Sequence, residues 1–409
     1  MTRLTHIIYI ALVAAVLAGC SGAKLSVADE QLARGEYFDA QKTYRKVYNK
    51  LNPREQRPQR AEVAAKMGEC YTRLGQDARA AAAYQNALRY GYPDSTILLK
   101  LATSLHGQGN YTQAVKSYED YLRLYPTDDN ARQALLGARK AVELRRNKTR
   151  YVVRNAKLFN SRRADFAPMF NGEVLYFTTT NEKVNGSNRS EITGMKRSDI
   201  WMVRKNERGD WQRPEPVEGE LNTEWDEGIV SFSPDGSTMY LTRSIRTPEK
   251  DTGVDIYTSR RSDAQWSAPV KFDITNDTLS SYGHPAVSPS GQYLYFTSDM
   301  PGHGGKDIWR INLNERAGSL ENLGDAINTP GDEVFPYMLT DSIMYFSSDG
   351  HPGMGGLDIF RATLKPSGGW LVENMGSPIN SEGDDFGITY ANPGKEAGYF
   401  SSNRGDGRG

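Results

Sequence analysis

The strongest constraint on the fold is a unit that the chain repeats in its second half. Residues 293–298 read Tyr-Leu-Tyr-Phe-Thr-Ser, an aromatic run that leads through a Gly-rich stretch to Asp307-Ile308-Trp309. Fifty residues later the same order recurs, with Met344-Tyr345-Phe346 followed by Asp358-Ile359-Phe360. A unit repeated in series predicts an architecture in which every copy folds in the same way.

Further copies can be located from the tyrosine of the aromatic run. The marker tyrosines are Tyr176, Tyr240, Tyr295, Tyr345 and Tyr399, with separations of 64, 55, 50 and 54 residues. Units of this size with several short strands are typical of the blades of a β-propeller. The last copy has no Asp-Ile-aromatic strand before Gly409, so we expect about five blades, the fifth incomplete.

Turn sequences precede two of the marker strands. Residues 233–236 read Ser-Pro-Asp-Gly and residues 288–291 read Ser-Pro-Ser-Gly. Proline suits the second position of a turn and glycine accepts positive φ, so these turns predict hairpins. The unit resembles the TolB-like (PD-type) propeller repeat, a WD40-like repeat, over residues 165–409. The resemblance implies the fold and leaves the activity open, because propellers host many unrelated functions.

The N-terminus predicts export and lipidation. Arg3 is followed by an apolar run over 7–18 that is too short to span a bilayer, which is typical of a secretory signal. The run ends in Leu17-Ala18-Gly19-Cys20, which resembles the bacterial lipobox. The resemblance implies cleavage after residue 19 and lipidation of Cys20. Several acyl chains on one residue anchor a protein stably. The alternative is an ordinary signal peptide with an incidental cysteine.

Residues 24–147 follow a different, helical period. Gly75, Ala80 and Tyr84 recur 34 residues later as Gly109, Ala114 and Tyr118. Gly35, Ala40 and Tyr44 form a partial earlier copy. The pattern resembles the tetratricopeptide repeat, in which paired helices stack and the first helices line a concave face. The alternative is a helical bundle without a groove. The exposed first-helix candidates for binding a protein partner are Glu62, Glu69, Thr72, Thr103 and His106. The alternative is that they are solvated surface residues without such a role.

The segment that joins the two halves is basic. Residues 139–163 contain ten Lys or Arg and the single acid Glu143. Such a joint could contact anionic lipid or an acidic partner, or be a solvated helix end. The domains expected are therefore a signal peptide (1–19), a tetratricopeptide-repeat domain (20–147), a basic linker (148–164) and a propeller (165–409).

The composition and motifs give no indication of a nucleic-acid, metal or catalytic site. Lys+Arg and Asp+Glu number 50 each, so the net charge is zero and favours no nucleic-acid partner. There are two cysteines, which exclude a disulfide framework, and we expect Cys70 to be buried and inert. No H-x-x-x-H, C-x-x-C or G-x-S-x-G motif occurs, so we expect no metal, no cofactor and no catalytic residue.

One aspartate recurs at the start of a strand in four units. These residues are Asp199, Asp255, Asp307 and Asp358. We interpret them as turn carboxylates that accept backbone N–H groups. A calcium site at Asp299/Asp307 or Asp349/Asp358 is the alternative, because oxygen ligands in Gly-rich loops suit that ion.

The order of lipobox, tetratricopeptide repeats and PD-type propeller resembles the OmpA-family lipoproteins of Bacteroidota, including the PorE-type component associated with type IX secretion. Members continue into an OmpA-like domain that binds peptidoglycan, which would lie beyond this sequence. The resemblance implies a non-enzymatic scaffold on the periplasmic face of the outer membrane that docks proteins of a secretion or envelope complex. The alternatives are a propeller enzyme or glycan-binding module acting on envelope polysaccharide, and a soluble TolB-like accessory.

Overall fold

The structure is a computed structural model that describes residues 24–181, 183, 189–190, 193–246, 251–315, 317–392 and 394–405. The chain divides into two compact units. One runs to Thr127 and includes Arg189–Gly194, and the other comprises Asp128–Asn188 and Met195–Gly409. The predicted fold class, a tetratricopeptide-repeat array followed by an all-β propeller, is confirmed.

The first unit consists of helices arranged as consecutive pairs. The helices are α1 (24–33), α2 (Tyr37–Tyr48), α3 (Arg57–Arg73), α4 (Asp77–Tyr90), α5 (Ile97–His106) and α6 (Tyr111–Leu124). Gly35, Gly75 and Gly109 follow the first helix of each pair with φ of 73°, 63° and 71°. These left-handed residues end one helix and let the chain reverse into the next.

Small and aromatic side chains fill the space between paired helices. Ala40, Ala80 and Ala114 are fully buried, and Tyr44, Tyr84 and Tyr118 lie one turn further along α2, α4 and α6, also buried. On α3, a Cβ at Gly68 would overlap the ring of Tyr84. The repeat positions read from the sequence are therefore the packing positions. The burial expected of Cys70 is also confirmed.

The second unit begins with α7 (Asp129–Arg146), which starts at an Asp128 side chain that accepts the Ala131 N–H. Residues 148–164, expected to be a linker, pack within this unit. Thr149 N–H donates to Ser377 O over 2.7 Å, and Tyr151 and Val153 pack against the cluster around Tyr345. The division at Asp128 thus falls before α7, whereas we expected a boundary at residue 147.

Within the described residues five antiparallel sheets form the propeller, and their strands follow chain order except for the last strand of blade 2, which pairs with the third. Blade 1 contains β1 (Asp165–Asn171), β2 (Val174–Thr179), β3 (Asp199–Val203) and β4 (Glu215–Pro216). Blade 2 contains β5 (Asp226–Phe232), β6 (Thr238–Arg246), β7 (Asp251–Ser262), β8 (Gln265–Trp266) and β9 (Val270–Lys271). Blade 3 contains β10 (Tyr282–Val287), β11 (Tyr293–Ser298), β12 (Asp307–Asn312) and β13 (Glu321–Asn322). Blade 4 contains β14 (Glu333–Thr340), β15 (Ile343–Ser348), β16 (Asp358–Leu364) and β17 (Trp370–Asn374). Blade 5 contains β18 (Asp385–Asn392) and β19 (Lys395–Ser402).

The aromatic strands of the sequence pattern are the second strands of the blades. Their hairpin turns have the expected geometry, with Gly236 at φ 70° and Gly291 at φ 71°, each donating to the serine three residues earlier. The side chains of Leu294, Phe296, Met344 and Phe346 are fully buried. These strands are covered on both faces because each blade stacks on the next.

The first strands surround a common axis and close the ring. Blade 5 meets blade 1 through β18 and β19, which both contact β1, and the Ala167 N–H of β1 donates to Ser401 Oγ of β19 over 2.8 Å. Phe166 and Phe386 pack across the same joint with ring centroids 6.3 Å apart. A ring of five blades, the last with two strands among the described residues, therefore holds together around one channel.

Candidate functional site

Charged side chains form a strip along the first helices of the repeats. On α3, Lys66 Nζ lies 3.0 Å from Glu62 and 2.8 Å from Asp29 of α1. Further along α3, Glu69 lies 3.6 Å from Lys100 Nζ of α5. We call these five residues the α3 strip. The strip connects three repeats across one face of the helical unit.

The α3 strip is accessible to a partner. The exposed fraction of its side chains ranges from 27% for Lys66 to 55% for Glu62. Burial alone would lower the pKa of Lys66, but hydrogen bonds with Asp29 and Glu62 outweigh it and raise the pKa. Exposed ion pairs of this kind stabilise a fold by only about 0–1 kcal/mol. A partner could therefore exchange these pairs for its own charges at small cost.

Two threonines near the α3 strip bond to the buried tyrosines. Thr72 Oγ1 lies 3.0 Å from the hydroxyl of Tyr84, and the Tyr118 hydroxyl donates to Thr103 Oγ1 over 3.4 Å. Burial raises the pKa of both tyrosines to about 12, so they stay protonated. Both threonines remain exposed. Their hydroxyls thus link the interior of the array to its surface.

His106 does not belong to this exposed set. Its side chain is 7% exposed and packs edge-on against Tyr111 and Tyr118, with ring centroids 5.6 and 6.3 Å away. The expectation that His106 is exposed is therefore wrong. The last turn of α5 points this residue between helices, whereas Thr103, three residues earlier, faces outward.

Three of the recurring blade aspartates, Asp199, Asp307 and Asp358, start a third strand as expected, whereas Asp255 is the fifth residue of β7. Asp307 Oδ2 accepts the His303 N–H over 2.7 Å and the Asn322 amide over 2.7 Å. Asp358 Oδ2 likewise accepts the Met354 N–H and the amide of Asn374. Burial is the main cause that raises the pKa of Asp358, to about 8. In these two blades the carboxylate closes the Gly-rich turn against the blade's own fourth strand.

The other two aspartates lie in different surroundings. Asp199 is 2% exposed at the start of β3, whereas Asp255 forms an ion pair with Lys271 Nζ at 2.8 Å. The carboxylates considered for calcium accept backbone N–H groups elsewhere: Asp299 from Ser281 and Asp349 from Asp332. No group of three or more His, Cys, Asp or Glu within the described ranges is placed to hold a metal ion.

A ring of left-handed residues lines the central channel, and sequence reasoning missed it. One residue in each first strand has φ between 49° and 60°: Ala167, Ile229, His284, Phe335 and Gly387. Each sits at a β-bulge where the strand register shifts. Non-glycine residues pay about 1–3 kcal/mol for this conformation, so surrounding contacts must enforce it.

At three of the five bulges a hydroxyl group of the neighbouring blade accepts the backbone N–H. The Ile229 N–H donates to Thr178 Oγ1 and the His284 N–H to Thr242 Oγ1, over 2.8 and 2.9 Å. The Ala167–Ser401 bond at ring closure is the same interaction. Hydroxyl groups of three marker strands therefore bind the bulge of the next blade, and in a fourth the Thr297 hydroxyl donates to Glu333 O over 3.3 Å.

His284 is the titratable residue of the channel ring. It stacks on Phe335 with ring centroids 4.1 Å apart, and its Nδ1 accepts the Phe335 N–H over 3.2 Å. Burial lowers the pKa of His284 to about 3, so its imidazole is neutral at physiological pH. The rest of the channel wall is apolar, with Met169, Val230 and Ile388 among its residues.

Acidic residues stand two residues before four of the bulges. Glu227, Glu333 and Asp385 are fully buried, and Asp165 is partly buried. Glu333 accepts the N–H and hydroxyl of Thr329, each over 2.7 Å, and the hydroxyl of Ser348 over 2.6 Å. Burial raises the pKa of Glu333 to about 7. These acids hold the loops that enter four of the five blades.

An asparagine in the same loops fastens the preceding blade. Asn328 accepts the Ile308 N–H over 2.8 Å and donates to Ile308 O over 3.0 Å. Asn222 binds Ile200, and Asn380 binds Ile359, in the same two-bond manner. The signal was available in the sequence as an Asn-Thr/Ser pair followed four residues later by an acid: 222–227, 328–333 and 380–385.

Cys20 lies outside the described residues. Across the part of the chain that the structure describes, none of the helices has the length and apolar character needed to cross a bilayer.

Comparison with known protein families identifies tetratricopeptide repeats in the helical unit. The tetratricopeptide repeat family profile matches residues 66–95 and 97–128, which span α3 to α6. No curated protein sequence is significantly similar to the chain.

Similar solved structures cover parts of the chain. The MamA protein matches 31% of this chain and 66% of its own length, at 19% identity and a TM-score of 0.27. The β-propeller domain of the Trilobed protease from Pyrococcus furiosus matches 51% of this chain and 50% of its own, at 8% identity and a TM-score of 0.29. An α-L-arabinofuranosidase from Clostridium thermocellum matches 53% of this chain and 74% of its own, at 15% identity and a TM-score of 0.33. At these TM-scores the similarity is no basis for assigning an activity to this chain. The family profile identifies a pair of tetratricopeptide repeats in it.

Proposed function

We propose that this protein is a non-enzymatic scaffold whose helical repeats dock a protein partner along the α3 strip. The observation that carries the proposal is the run of exposed ion pairs from Asp29 to Lys100 across three first helices. First helices line the concave binding face of such arrays. Alternating charges on that face favour an extended or helical segment with the complementary pattern.

The finer proposal concerns where the scaffold works. We propose lipidation at Cys20, attachment to the periplasmic face of the outer membrane, and docking of proteins of a secretion or envelope complex of the type IX kind. An OmpA-like domain following this sequence would add a link to peptidoglycan. The support is the Leu17-Ala18-Gly19-Cys20 sequence and the order of the modules.

A charge-reversal experiment tests docking. Full-length protein carrying Glu62→Lys and Glu69→Lys should lose partners in pull-downs from solubilised envelopes, because both glutamates lie on the α3 strip. Glu55→Lys, an exposed glutamate of the α2–α3 loop, is the matched control. An unchanged set of partners in the double variant would contradict the proposal, and retention of an envelope polysaccharide instead would favour the glycan-binding alternative.

Metabolic labelling with a fatty-acid analogue tests the anchor. The chain with Cys20 should take up label and fractionate with outer membranes, whereas Cys20→Ala should do neither. A labelled Cys20→Ala protein, or an unlabelled parent, would contradict lipidation at this residue.

A further inference from the structure

Residues 145–158 carry a concentration of positive charge. They contain six Lys or Arg and no Asp or Glu, in a chain whose net charge is zero. Lys148, Arg154 and Lys157 are exposed, and within the described residues none of the three forms an ion pair. Lys306 of the propeller, by contrast, lies 2.7 Å from an aspartate. The charge of this stretch is therefore open to a partner.

Alternate side chains hold the segment after α7 against the propeller. Thr149 donates to Ser377 O twice, from its N–H over 2.7 Å and from its hydroxyl over 3.1 Å. Tyr151 and Val153 pack against the cluster around Tyr345. Every second residue of this segment is thus fixed to the second unit.

The side chains that alternate with these three are exposed. They are Lys148, Arg150, Val152 and Arg154. Val152 is 75% exposed, although its side chain is apolar. Such a period of two is expected where a chain runs extended along a surface, because successive side chains point to opposite sides. The outward side of the segment thus combines three cations with one apolar side chain.

A turn then projects one more cation and one more apolar side chain. The Phe159 N–H donates to Ala156 O over 2.9 Å, and the Phe159 ring packs edge-on against Trp211 with ring centroids 5.4 Å apart. The two central residues of the turn, Lys157 and Leu158, are exposed, Leu158 by 50%. Because contacts with the propeller fix both stretches, their outward residues are arranged before a partner binds.

We propose that Lys148, Val152, Arg154, Lys157 and Leu158, which we call the basic surface, bind the headgroup region of an anionic phospholipid bilayer. The cations attract the lipid phosphates. The two apolar side chains enter the boundary between the headgroups and the acyl chains. This contact adds to an acyl anchor and does not require one.

The mixture of side chains favours a bilayer over an acidic protein. A site for a single carboxylate or phosphate group holds its cations in fixed, often bidentate geometry, whereas the side chains of Lys148, Arg154 and Lys157 have no hydrogen-bond partner among the described residues. A bilayer presents many mobile charges and accepts flexible Lys and Arg side chains in any arrangement. It also takes Val152 and Leu158 out of water, which an acidic segment would not do.

Vesicle binding tests the proposal. The chain from residue 20 onward with Cys20→Ala carries no acyl group, so the result depends neither on the anchor nor on docking at the α3 strip. This protein should co-sediment with vesicles of phosphatidylglycerol and phosphatidylcholine in equal parts, and at least about tenfold more weakly with phosphatidylcholine alone. Equal binding to both kinds of vesicle, or binding to neither, would overturn the proposal.

Charge variants locate the contact. Arg154→Gln with Lys157→Gln should weaken binding to the anionic vesicles at least about tenfold, since each cation near such a surface contributes separately. The melting temperature should be unchanged, because both side chains are exposed and unpaired. Lys46→Gln with Lys50→Gln changes the net charge equally at exposed positions of the helical unit and should leave binding as it was. Equal losses in the two double variants would mean that the basic surface is not the contact.

Apolar variants separate a bilayer from an acidic protein. Val152→Ser with Leu158→Ser keeps the charge and should weaken vesicle binding at least about fivefold. Val270→Ser with Leu279→Ser, at positions 66% and 95% exposed, is the matched control and should have no effect. Unchanged binding of the first pair, or retention of polyglutamate by a chain that does not bind vesicles, would overturn the proposal in favour of an acidic partner.

Discussion

At the residue scale, Asp358 makes stability depend on pH. Burial raises its pKa to about 8 in the folded state, from 3.8 for an ordinary aspartate. As pH rises above 3.8 the unfolded chain releases this proton while the folded chain retains it. The stability that protonated Asp358 contributes to the folded state is therefore fully present below about pH 4 and is lost as the pH rises through about 8.

Asp358→Asn should remove this dependence. The unfolding free energy of the variant, minus that of the parent, should increase between about pH 5 and pH 9 by an amount on the order of 3 kcal/mol. Urea titrations at the two pH values measure it. Asp325→Asn, at an exposed position, is measured in the same way as the control. A pH-independent difference for Asp358→Asn would contradict the assignment.

Gly68 is a second residue on which the packing depends. Its Cβ position falls within the ring of Tyr84, so Gly68→Ala should destabilise the helical unit by about 1–3 kcal/mol. Thermal unfolding followed by circular dichroism at the helix minimum measures the loss. Adding Tyr84→Leu makes room for the new methyl group. If the double variant is less stable than the sum of the single changes predicts, the explanation by overlap is wrong.

At the scale of elements, Asn328 fixes the third strand of blade 3. Asn328→Ala would leave the buried N–H of Ile308 without this partner, at a cost of about 1–3 kcal/mol, whereas Ile308 O still accepts the Leu323 N–H over 3.2 Å. We expect a loss of about 1–3 kcal/mol in denaturant unfolding. The exposed Asn314→Ala is the control. A similar, small effect of both changes would show that Asn328 does not hold the strand.

Local sequence patterns predicted helix ends and second strands correctly where the structure requires one residue type at a position. The glycines at 35, 75 and 109 marked helix ends, and the marker tyrosines lay in second strands, because these positions tolerate few alternatives. The exposure of His106 was predicted wrongly because residues within one turn of a helix can face either solvent or the interior, and the sequence pattern did not separate His106 from Thr103. The channel ring was missed because Ala167, Ile229, His284 and Phe335 share a backbone conformation and no side-chain property.

At the scale of the whole molecule, the ring is closed by the same hydroxyl bond that joins neighbouring blades. Ser401→Ala should therefore cost as much as Thr178→Val at an internal joint, about 1–2 kcal/mol each. Denaturant unfolding of the two variants measures this. A much smaller effect of Ser401→Ala would mean that blade 5 is not coupled to blade 1.

The number of blades could be read from the marker strands, whereas ring closure could not. Closure depends on Ala167 meeting Ser401, which are 234 residues apart and belong to no shared motif. Likewise, the strip formed by Asp29, Lys66 and Lys100 joins three helices whose relative positions follow from packing and not from spacing along the chain.

We expect the asparagine bonds to affect the order in which blades are secured during synthesis. Asn222, Asn328 and Asn380 each bind the blade that precedes their own in the chain. Blades 1, 3 and 4 therefore lack this bond until the following blade has been synthesised. Blade 1 follows no other blade in the chain. The loop that enters blade 1, with Asn160, therefore meets its neighbour, blade 5, only after the whole ring has been synthesised.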